Sequence, residues 1–548
     1  MEIKKNESIL NILLFALFIY LFISFLAGGF WTADSWRFLG MSREITETGT
    51  YSNFTNIEFK YPTPSYSIFM SSLSLISGLN LSVGFFRAIS VFLGLFPIIF
   101  IYLIVRNYNK KLALIASFFA ILGFGEFYIN YAISSVPHGF SYLLLASLFY
   151  LNYLFLSEKD LWKTKIISIA HLLVVFALIF VHLWSAFLYI AFYFLFCCVL
   201  SIFDKEKIWF ALPQFFLAFL FIISFLYTNP FLKHFFVEIP FIILPGLFLT
   251  SFVILFFVYR FRFAVKKALI KQSKKIDVDF NKYLWTGIFS IIAFGLFSIF
   301  VLTLFNPFAL KRDFLAIFFS HISFFIFAVL LWAGLLNILL RKNYSLLKLI
   351  IPWIVTCSLM LLASFVALKL MGQFFDPWRH WAYLALLGVI PVSYAFLPFL
   401  EKKKTKKIIF LVFCLFLLTF STSINFQFKY TDKEEFSSME WVALNTENKA
   451  VIAGDIRLTG LVAVLADRQS LWSGFLPSIF MQNTHPPLLS TLNYLDYILW
   501  SDQYFKQGAG INETATNIKL NKGDYYKFYS PLFDKIYSTQ NVELFKRR

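Results

Sequence analysis

Two acidic residues, Asp34 and Glu126, stand at the ends of long apolar segments of the chain. Partial burial at a membrane surface raises the pKa of a carboxyl group and makes the carboxylate a better general base. Basic residues take comparable places at Lys311, Arg312 and Arg379. A charge so close to hydrocarbon is costly without a partner, and arginine binds anionic oxygens through paired hydrogen bonds. These residues could therefore supply a base and an anion site at the edges of the apolar segments.

The composition is that of a membrane protein. The 548 residues are 59% hydrophobic and only 14% charged, and the mean hydropathy is +0.73. A soluble globular protein is about half apolar and about a quarter charged. The net charge of +18 fits basic cytoplasmic loops better than nucleic-acid binding, which needs a soluble basic face.

The four cysteines all lie in apolar runs and form neither a disulfide framework nor a zinc pattern. We expect buried thiols at these positions: Cys197, Cys198, Cys357 and Cys414.

Hydropathy predicts about thirteen spans, each close to the ~20 apolar residues that a bilayer requires. The first apolar run is too long for the core of a signal peptide and is interpreted as an uncleaved span. The predicted spans are 8–29, 82–105, 112–130, 138–157, 165–181, 184–203, 208–228, 239–259, 284–305, 314–340, 347–370, 382–400 and 408–425.

The basic connectors fall on one side of the membrane only if the stretch "YPTPSYSIFMSSLSLISGLN" does not cross it. Its roughly 15 helical residues would reach about 22 Å, short of a ~30 Å hydrocarbon core. We therefore expect an interfacial helix here, within a first outer loop over 30–81. This topology puts the N-terminus in the cytoplasm and the C-terminus outside the cell membrane.

Composition divides the chain into a transmembrane domain over 1–425 and a soluble domain over 426–548. In the second, "KAVIAGD" and "LDYILWSD" are predicted strands, "RLTGLVAVLAD" has helical spacing, and "FDKIYSTQNVELFK" predicts two strands with a turn at 539–541. The alternation indicates a small α/β domain outside the membrane. It has no Gly-rich phosphate loop, which favours a lid, docking or acceptor-binding role.

The segment from Asp34 to Thr48 is amphipathic. Its simplest interpretation is an interfacial helix anchored by Trp31 and Trp36.

The order of features is more specific than any one of them. A first span is followed by an outer loop opening with Asp34, an amphipathic helix ending at Gly49, the "YPTPSY" stretch, and a span with Arg87 near its start. This order resembles the GT-C superfamily of integral-membrane glycosyltransferases. The segment "ADSWRFLGMSREITETGTY" is similar to the first loop of the oligosaccharyltransferase catalytic subunit. The "YPTPSY" stretch, which contains Tyr61, is similar to the Tyr-Pro-Pro stretch of aminoarabinose and protein-mannose transferases.

The resemblance implies transfer of a sugar from a polyprenyl- or dolichyl-phosphate donor to a protein, glycan or lipid acceptor on the outer face. The C-terminal domain has no Trp-Trp-Asp motif, and the loop before residue 314 is short. Transfer of a whole oligosaccharide is thus disfavoured, and a monosaccharide transferase is expected.

The resemblance makes Asp34 the catalytic first-loop acid and Glu126 a second-loop acid, although Glu126 is equally consistent with a charge that ends a span. Asp34 and Glu126, with His138 as a further candidate, could bind Mg²⁺ or Mn²⁺ through carboxylate oxygens. Neither acid lies in a D-x-D pattern, so a metal cofactor is not required by the sequence.

The remaining candidates are substrate-binding residues. Arg379 resembles the late-loop arginine of the family and is predicted to bind the phosphate, but a surface pair with Asp376 is the alternative. Arg87 could pair with Asp34 or Glu58 instead. The full set of predicted substrate-binding residues is Arg379, His380, Lys311, Arg312, Arg87, His182 and Tyr61.

Histidines allow a plainer interpretation. His182 lies between two spans, where a hydrogen-bonded histidine at a helix end would account for it. His171 and His321 lie inside apolar runs and are predicted to be packed or bonded to helix backbone.

Two other function classes are open. A transporter or lipid flippase tends to have ionisable residues in mid-span and two similar halves, whereas charge here gathers at the outer rim. A polysaccharide ligase or polymerase would have a large arginine-rich late loop. The sequence identifies neither the sugar, the acceptor nor the polyprenol.

Overall fold

The fold was determined as a computed structural model. The structure describes residues 3–26, 33–49, 65–122, 137–228, 243–268, 271, 279–305, 314–371, 377–401, 411–412, 415, 433–454, 458, 461–462, 465–466, 468–471, 495–501, 509–510, 517–518, 533–539 and 542–547. Inside a few helices only the backbone is described, as it is for Asp34 and Arg379.

Most of the described chain is helical. The helices are α1 (Ile3–Leu26), α2 (Ala33–Thr48), α3 (Ser65–Ser77), α4 (Val83–Arg106), α5 (Lys110–Leu122), α6 (Pro137–Ser157), α7 (Leu161–Val181), α8 (Leu183–Phe203), α9 (Lys205–Thr228), α10 (Ile243–Arg260), α11 (Phe280–Phe305), α12 (Phe314–Leu340), α13 (Tyr344–Met371), α14 (Pro377–Ala395), α15 (Leu397–Glu401) and α16 (Lys433–Asn445).

Seven segments of the described chain are long and apolar enough to cross a membrane. Shorter apolar helices occur over Ile9–Leu21, Thr250–Arg260 and Phe325–Leu340. The protein is thus a multi-pass helical membrane protein, while the predicted number of thirteen spans is not confirmed. The seven segments are Val83–Arg106, Pro137–Ser157, Leu161–Val181, Leu183–Phe203, Lys205–Thr228, Tyr344–Leu361 and Ala382–Glu401.

The segment 30–81 contains two packed helices, α2 and α3. Gly49 directly follows the end of α2, and Gly78 the end of α3. Both have positive φ (68° and 67°), a backbone conformation that glycine adopts without steric cost. Helix α3 has 13 residues, a length of about 20 Å, and so is too short to cross a bilayer.

Helix α14 lies in the interior of the helical bundle. Nearly every described side chain from His380 to Pro391 is buried. Gly334 of α12 faces the Pro391 carbonyl of α14 so closely that an added Cβ would overlap it. Small residues allow membrane helices to approach in this way, and the close crossing fixes α14 against α12.

The C-terminal part forms a five-stranded sheet of order β2-β1-β3-β7-β6, with β4-β5 as a separate pair. Strand β1 is parallel to β2 and β3, and β7 is antiparallel to β3 and β6. The predicted strands in "KAVIAGD", "LDYILWSD" and "FDKIYSTQNVELFK" are confirmed. The strands are β1 (Val451–Ala453), β2 (Gln469–Leu471), β3 (Tyr497–Ser501), β4 (Ala509–Gly510), β5 (Asn517–Ile518), β6 (Phe533–Ser538) and β7 (Val542–Arg547).

The chain divides into two compact units. The first consists of Met1–Tyr20, Val91–Ile133 and His138–Phe426, and the second of Leu21–Ser90, Ser134–Pro137 and Gln427–Arg548. Helices α2 and α3 thus belong to the same unit as the C-terminal part of the chain.

Candidate active site

His182 caps helix α8. Its backbone is extended (φ −155°, ψ 97°), and its Nδ1 accepts a hydrogen bond of 3.1 Å from the Ser185 backbone N–H. A side-chain acceptor at this position satisfies one of the open N–H groups at the helix start. Because Nδ1 is the acceptor, the neutral ring carries its proton on Nε2. His182 therefore has a defined tautomer with an Nε2–H donor.

Ser185 joins three helices at this point. Its hydroxyl lies 2.7 Å from His182 Nδ1 and 2.6 Å from the Tyr383 hydroxyl of α14. It also donates over 3.1 Å to Ser141 Oγ of α6, and Ser141 in turn donates to the His138 carbonyl. Since Ser185 has one hydroxyl proton for both His182 and Ser141, Tyr383 is the donor in its bond to Ser185.

His138 packs directly against His182. The ring centroids are 4.3 Å apart with planes at 54°, and both side chains are buried. Together, these residues of α6, α8 and α14 form the His182 network: His138, Ser141, His182, Ser185 and Tyr383.

Helix α14 contributes the last histidine. His380 is 1% exposed and its ring lies 5.6 Å from that of Trp184. Tyr383, one turn later, is held from two sides: its ring meets Tyr142 edge-on at 5.3 Å, and its carbonyl accepts a 3.0 Å bond from Trp353 Nε1. Two predicted substrate-binding residues, His182 and His380, thus lie on elements joined by one hydrogen-bond network.

The structure locates the other predicted residues less completely. Asp34 is the second residue of α2, and Arg379 directly precedes His380 in α14. Arg87 is half-buried in the first turn of α4. The acids expected to pair with Arg87 lie outside the described side chains. The remaining residues lie outside the described part of the chain: Tyr61, Glu126, Lys311 and Arg312.

Helix α2, which Asp34 opens, is firmly held within its own unit. One turn beyond Asp34, Phe38 is fully buried and meets Tyr66 of α3 edge-on at 5.5 Å. Thr46 and Ser71 share a 2.8 Å hydrogen bond between the same two helices. Burial raises the pKa of Tyr66, so its hydroxyl is always protonated. The helix start is therefore a fixed position for a carboxylate.

No group of three or more metal-ligating side chains comes together among the described residues. The two predicted ligands, Asp34 and Glu126, are not among those side chains, so a Mg²⁺ or Mn²⁺ site stays a prediction.

His171 forms a second network in the middle of α7. Its Nε2 lies 2.5 Å from the Tyr189 hydroxyl of α8, and its ring stacks on Tyr193 at 4.6 Å. Asn152 Nδ2 donates to the same hydroxyl over 2.6 Å. The expected packing is present, but the hydrogen bond goes to a tyrosine side chain rather than to helix backbone.

Sequence reasoning missed Ser141, Ser185, Tyr383 and Trp353. Small hydroxyls and aromatics are common in apolar spans, and their partners come from helices distant in sequence. One local signal exists: Ser185 follows His182 at the spacing of an N-cap and the third helical residue.

No family model and no curated protein matches the chain. Among solved structures, the chain is similar to the archaeal oligosaccharyltransferase AglB from Archaeoglobus fulgidus, solved with an inhibitory peptide and a dolichol-phosphate. The identity is 15%, the TM-score is 0.57, and the match covers 91% of this chain and 70% of that one. ArnT from Cupriavidus metallidurans, bound to undecaprenyl phosphate, aligns over 98% of both chains at 12% identity and a TM-score of 0.42. The chain therefore shares the fold of the archaeal oligosaccharyltransferase.

Proposed function

We propose that this protein is a membrane glycosyltransferase that moves a sugar from a polyprenyl- or dolichyl-phosphate donor to an acceptor on the outer face of the cell membrane. The observation that carries the proposal is the fold shared with an oligosaccharyltransferase over 91% of the chain. Fold alone does not establish function. Residues of suitable chemistry at suitable places in that fold provide the further support.

The proposed reaction needs a base. An acceptor hydroxyl or amide attacks C1 of the sugar, the bond from C1 to the lipid phosphate breaks, and the acceptor proton is lost. Asp34, which the resemblance equates with the first-loop acid, takes that proton. Its support is its place in the first turn of a helix whose next turn is anchored by buried Phe38, since a base must be held within reach of its proton.

The leaving lipid phosphate needs hydrogen-bond donors and positive charge. His182 supplies an Nε2–H donor whose tautomer is set by the Ser185 amide. Arg379, beside buried His380 on α14, supplies the fixed charge and a bidentate fork. The network through Ser185 and Tyr383 holds α8 and α14 in register, so both donors come from helices with little freedom to shift.

The other predicted residues have supporting roles in the proposal. Glu126 is a second acid, and with Asp34 it would hold Mg²⁺ or Mn²⁺, which supplies positive charge to phosphate oxygens when bound. Tyr61 belongs to the first outer loop, Arg87 lies near the start of the span that follows it, and Lys311 and Arg312 add cations near the phosphate. Of these, only Arg87 lies in the described part of the chain.

The proposal is tested by incubating the purified full-length protein with a panel of radiolabelled polyprenyl-phosphate sugars and candidate acceptors. We expect one donor to give a labelled glycan, protein or lipid with release of polyprenyl phosphate. Movement of lipid or solute across vesicles, with no transfer product from any donor, would instead support the transporter or flippase alternative.

A further inference from the structure

The stretch that follows α10 combines basic and aromatic residues. Phe261 and Phe263 are 57% and 73% exposed, and residues 262–268 are helical. Four exposed cations and the half-buried Arg262 lie in the same stretch, and the chain has no acidic residue from 260 through 276. The described cations of this stretch, which we call the post-α10 surface together with the two phenylalanines, are Arg260, Arg262, Lys266, Lys267 and Lys271.

The post-α10 surface continues an apolar helix directly. Helix α10 exposes Phe252, Phe256 and Phe257, each more than half accessible, which is the surface of a helix that faces lipid. The helix ends at Arg260. The chain therefore changes from apolar to basic within one turn, as it does where a span meets lipid headgroups.

Arg262 makes cation–π contacts with two aromatic rings of this region. The Arg262 guanidinium lies 4.1 Å from the ring centroid of Tyr259 and 4.8 Å from that of Phe263. Phe263 and Lys267 are four residues apart within the helical stretch 262–268, which places them on one side of it. An aromatic side chain beside a row of cations can enter the edge of a bilayer while the charges stay at the headgroups.

We propose that the post-α10 surface binds anionic lipid headgroups. The positive-inside rule explains cations in a connector but gives no role to two exposed phenylalanines. An acidic soluble partner would satisfy the charge, but the surface adjoins the lipid-facing side of α10, so lipid is the ligand already present. Juxtamembrane clusters of four or more basic residues bind anionic lipids in this way, each cation contributing about 1 kcal/mol.

The test measures lipid binding and requires no sugar transfer, so its outcome is independent of the proposed enzyme activity. The detergent-solubilised full-length protein carries a donor dye on Ala264→Cys, and dye-labelled phosphatidylglycerol is the acceptor. We expect Lys266→Gln/Lys267→Gln to bind this lipid about 30-fold more weakly, which corresponds to roughly 2 kcal/mol. The matched control, Lys110→Gln/Lys111→Gln, removes two exposed lysines from another connector and should bind as the parent does.

Two further arms separate charge from apolar contact. Phe263→Ser should weaken lipid binding by about tenfold through lost burial of the ring. High salt should weaken lipid binding by the parent protein more than lipid binding by the lysine double variant. Equal binding by the parent and by Lys266→Gln/Lys267→Gln, or equal binding of labelled phosphatidylcholine, would overturn the proposal. Displacement of the lipid by a polyglutamate peptide as readily as by unlabelled phosphatidylglycerol would overturn it too.

Discussion

His182 and His171, on the neighbouring helices α8 and α7, have similar hydrogen-bond partners but different roles. His182, at the start of α8, and His171, in the middle of α7, are both buried and both bonded to a network that contains a tyrosine. They are eleven residues apart in sequence, or about 16 Å along a helix axis. At His182 the network includes a helix cap and reaches α14, whereas at His171 it ties neighbouring spans together.

The direction of the His171 hydrogen bonds explains the difference. Asn152 donates to the Tyr189 oxygen, so Tyr189 donates its own proton to His171 Nε2, and the ring proton lies on Nδ1. Gln214 of α9, whose amide nitrogen donates to the Phe210 carbonyl, has a buried carbonyl oxygen without a partner among the described residues, as His171 Nδ1 does. Donor and acceptor are complementary, and a bond between them would complete a chain through four spans.

An ionisable residue in mid-span is usually the first candidate for function. Here the mid-span histidine is used for helix association, and the histidine at a helix end has the donor suited to a ligand. Substitutions at four positions test which polar residues act in transfer and which act in stability.

Among these four positions, the largest effect is expected at Arg379. We propose that Arg379 makes a charge-assisted bond to the donor phosphate, worth about 1.5–3 kcal/mol. Arg379→Ala should then raise the donor KM roughly tenfold to a hundredfold. Steady-state transfer rates over a donor titration measure this. A donor KM equal to that of the wild type would mean that Arg379 instead forms the surface pair with Asp376.

Substitutions of His182 distinguish its role as a helix cap from its proposed role in donor binding. His182→Asn keeps a good N-cap acceptor but loses the Nε2–H donor, so we expect normal thermal stability with a donor KM raised about tenfold. His182→Ala loses both and should also be less stable by about 1 kcal/mol. Wild-type kinetics in the Asn variant would reduce His182 to a structural cap.

His171 should affect stability rather than transfer. His171→Leu leaves the buried Tyr189 hydroxyl without its acceptor, at a cost of about 1–3 kcal/mol. Adding Tyr189→Phe should cost less than the sum of the two single changes, because the unsatisfied hydroxyl is then gone. Thermal unfolding of the four proteins of this cycle tests the claim. A strong loss of transfer in His171→Leu at full stability would make the mid-span histidine functional after all.

The smallest effect is expected at Glu447, whose hydrogen bond with Tyr497 lies at the protein surface. The Tyr497 hydroxyl donates to Glu447 and, with Lys546, lowers the pKa of that carboxyl to about 2. Because the pKa is lowered in the folded state, the carboxylate stabilises the fold at pH values above its unfolded pKa of about 4.3. This stabilisation is lost as the pH falls towards 2. Glu447→Gln should therefore cost less than about 1 kcal/mol near neutral pH.

The difference in unfolding temperature between Glu447→Gln and the wild type should narrow as the medium is acidified. A difference that does not change with pH would show that the carboxylate contributes through packing and not through its charge.

Some elements of the fold and of the candidate site could be predicted from the sequence, and others could not. Local periodicity was enough for β1, β3, β6 and β7, because each is decided by its own residues. The short α3 was predicted from the length of its stretch and from the sidedness of the basic connectors. The sheet order and β2 were not predicted, since pairing between distant strands is set by tertiary contacts. Residues at helix ends, such as His182 and His380, stand out as polar groups beside apolar runs. Ser185 and Tyr383 do not, because their importance arises only when α6, α8 and α14 meet.

The central claim is that a carboxylate on α2 catalyses sugar transfer from a lipid phosphate. Its most direct test is the transfer rate of Asp34→Asn beside Glu47→Gln, a matched loss of one carboxylate at the exposed far end of the same helix. With the purified full-length proteins and the active radiolabelled donor, we expect Asp34→Asn to have no measurable transfer at wild-type expression and stability, and Glu47→Gln to keep the wild-type rate. Near-normal transfer by Asp34→Asn would contradict the account.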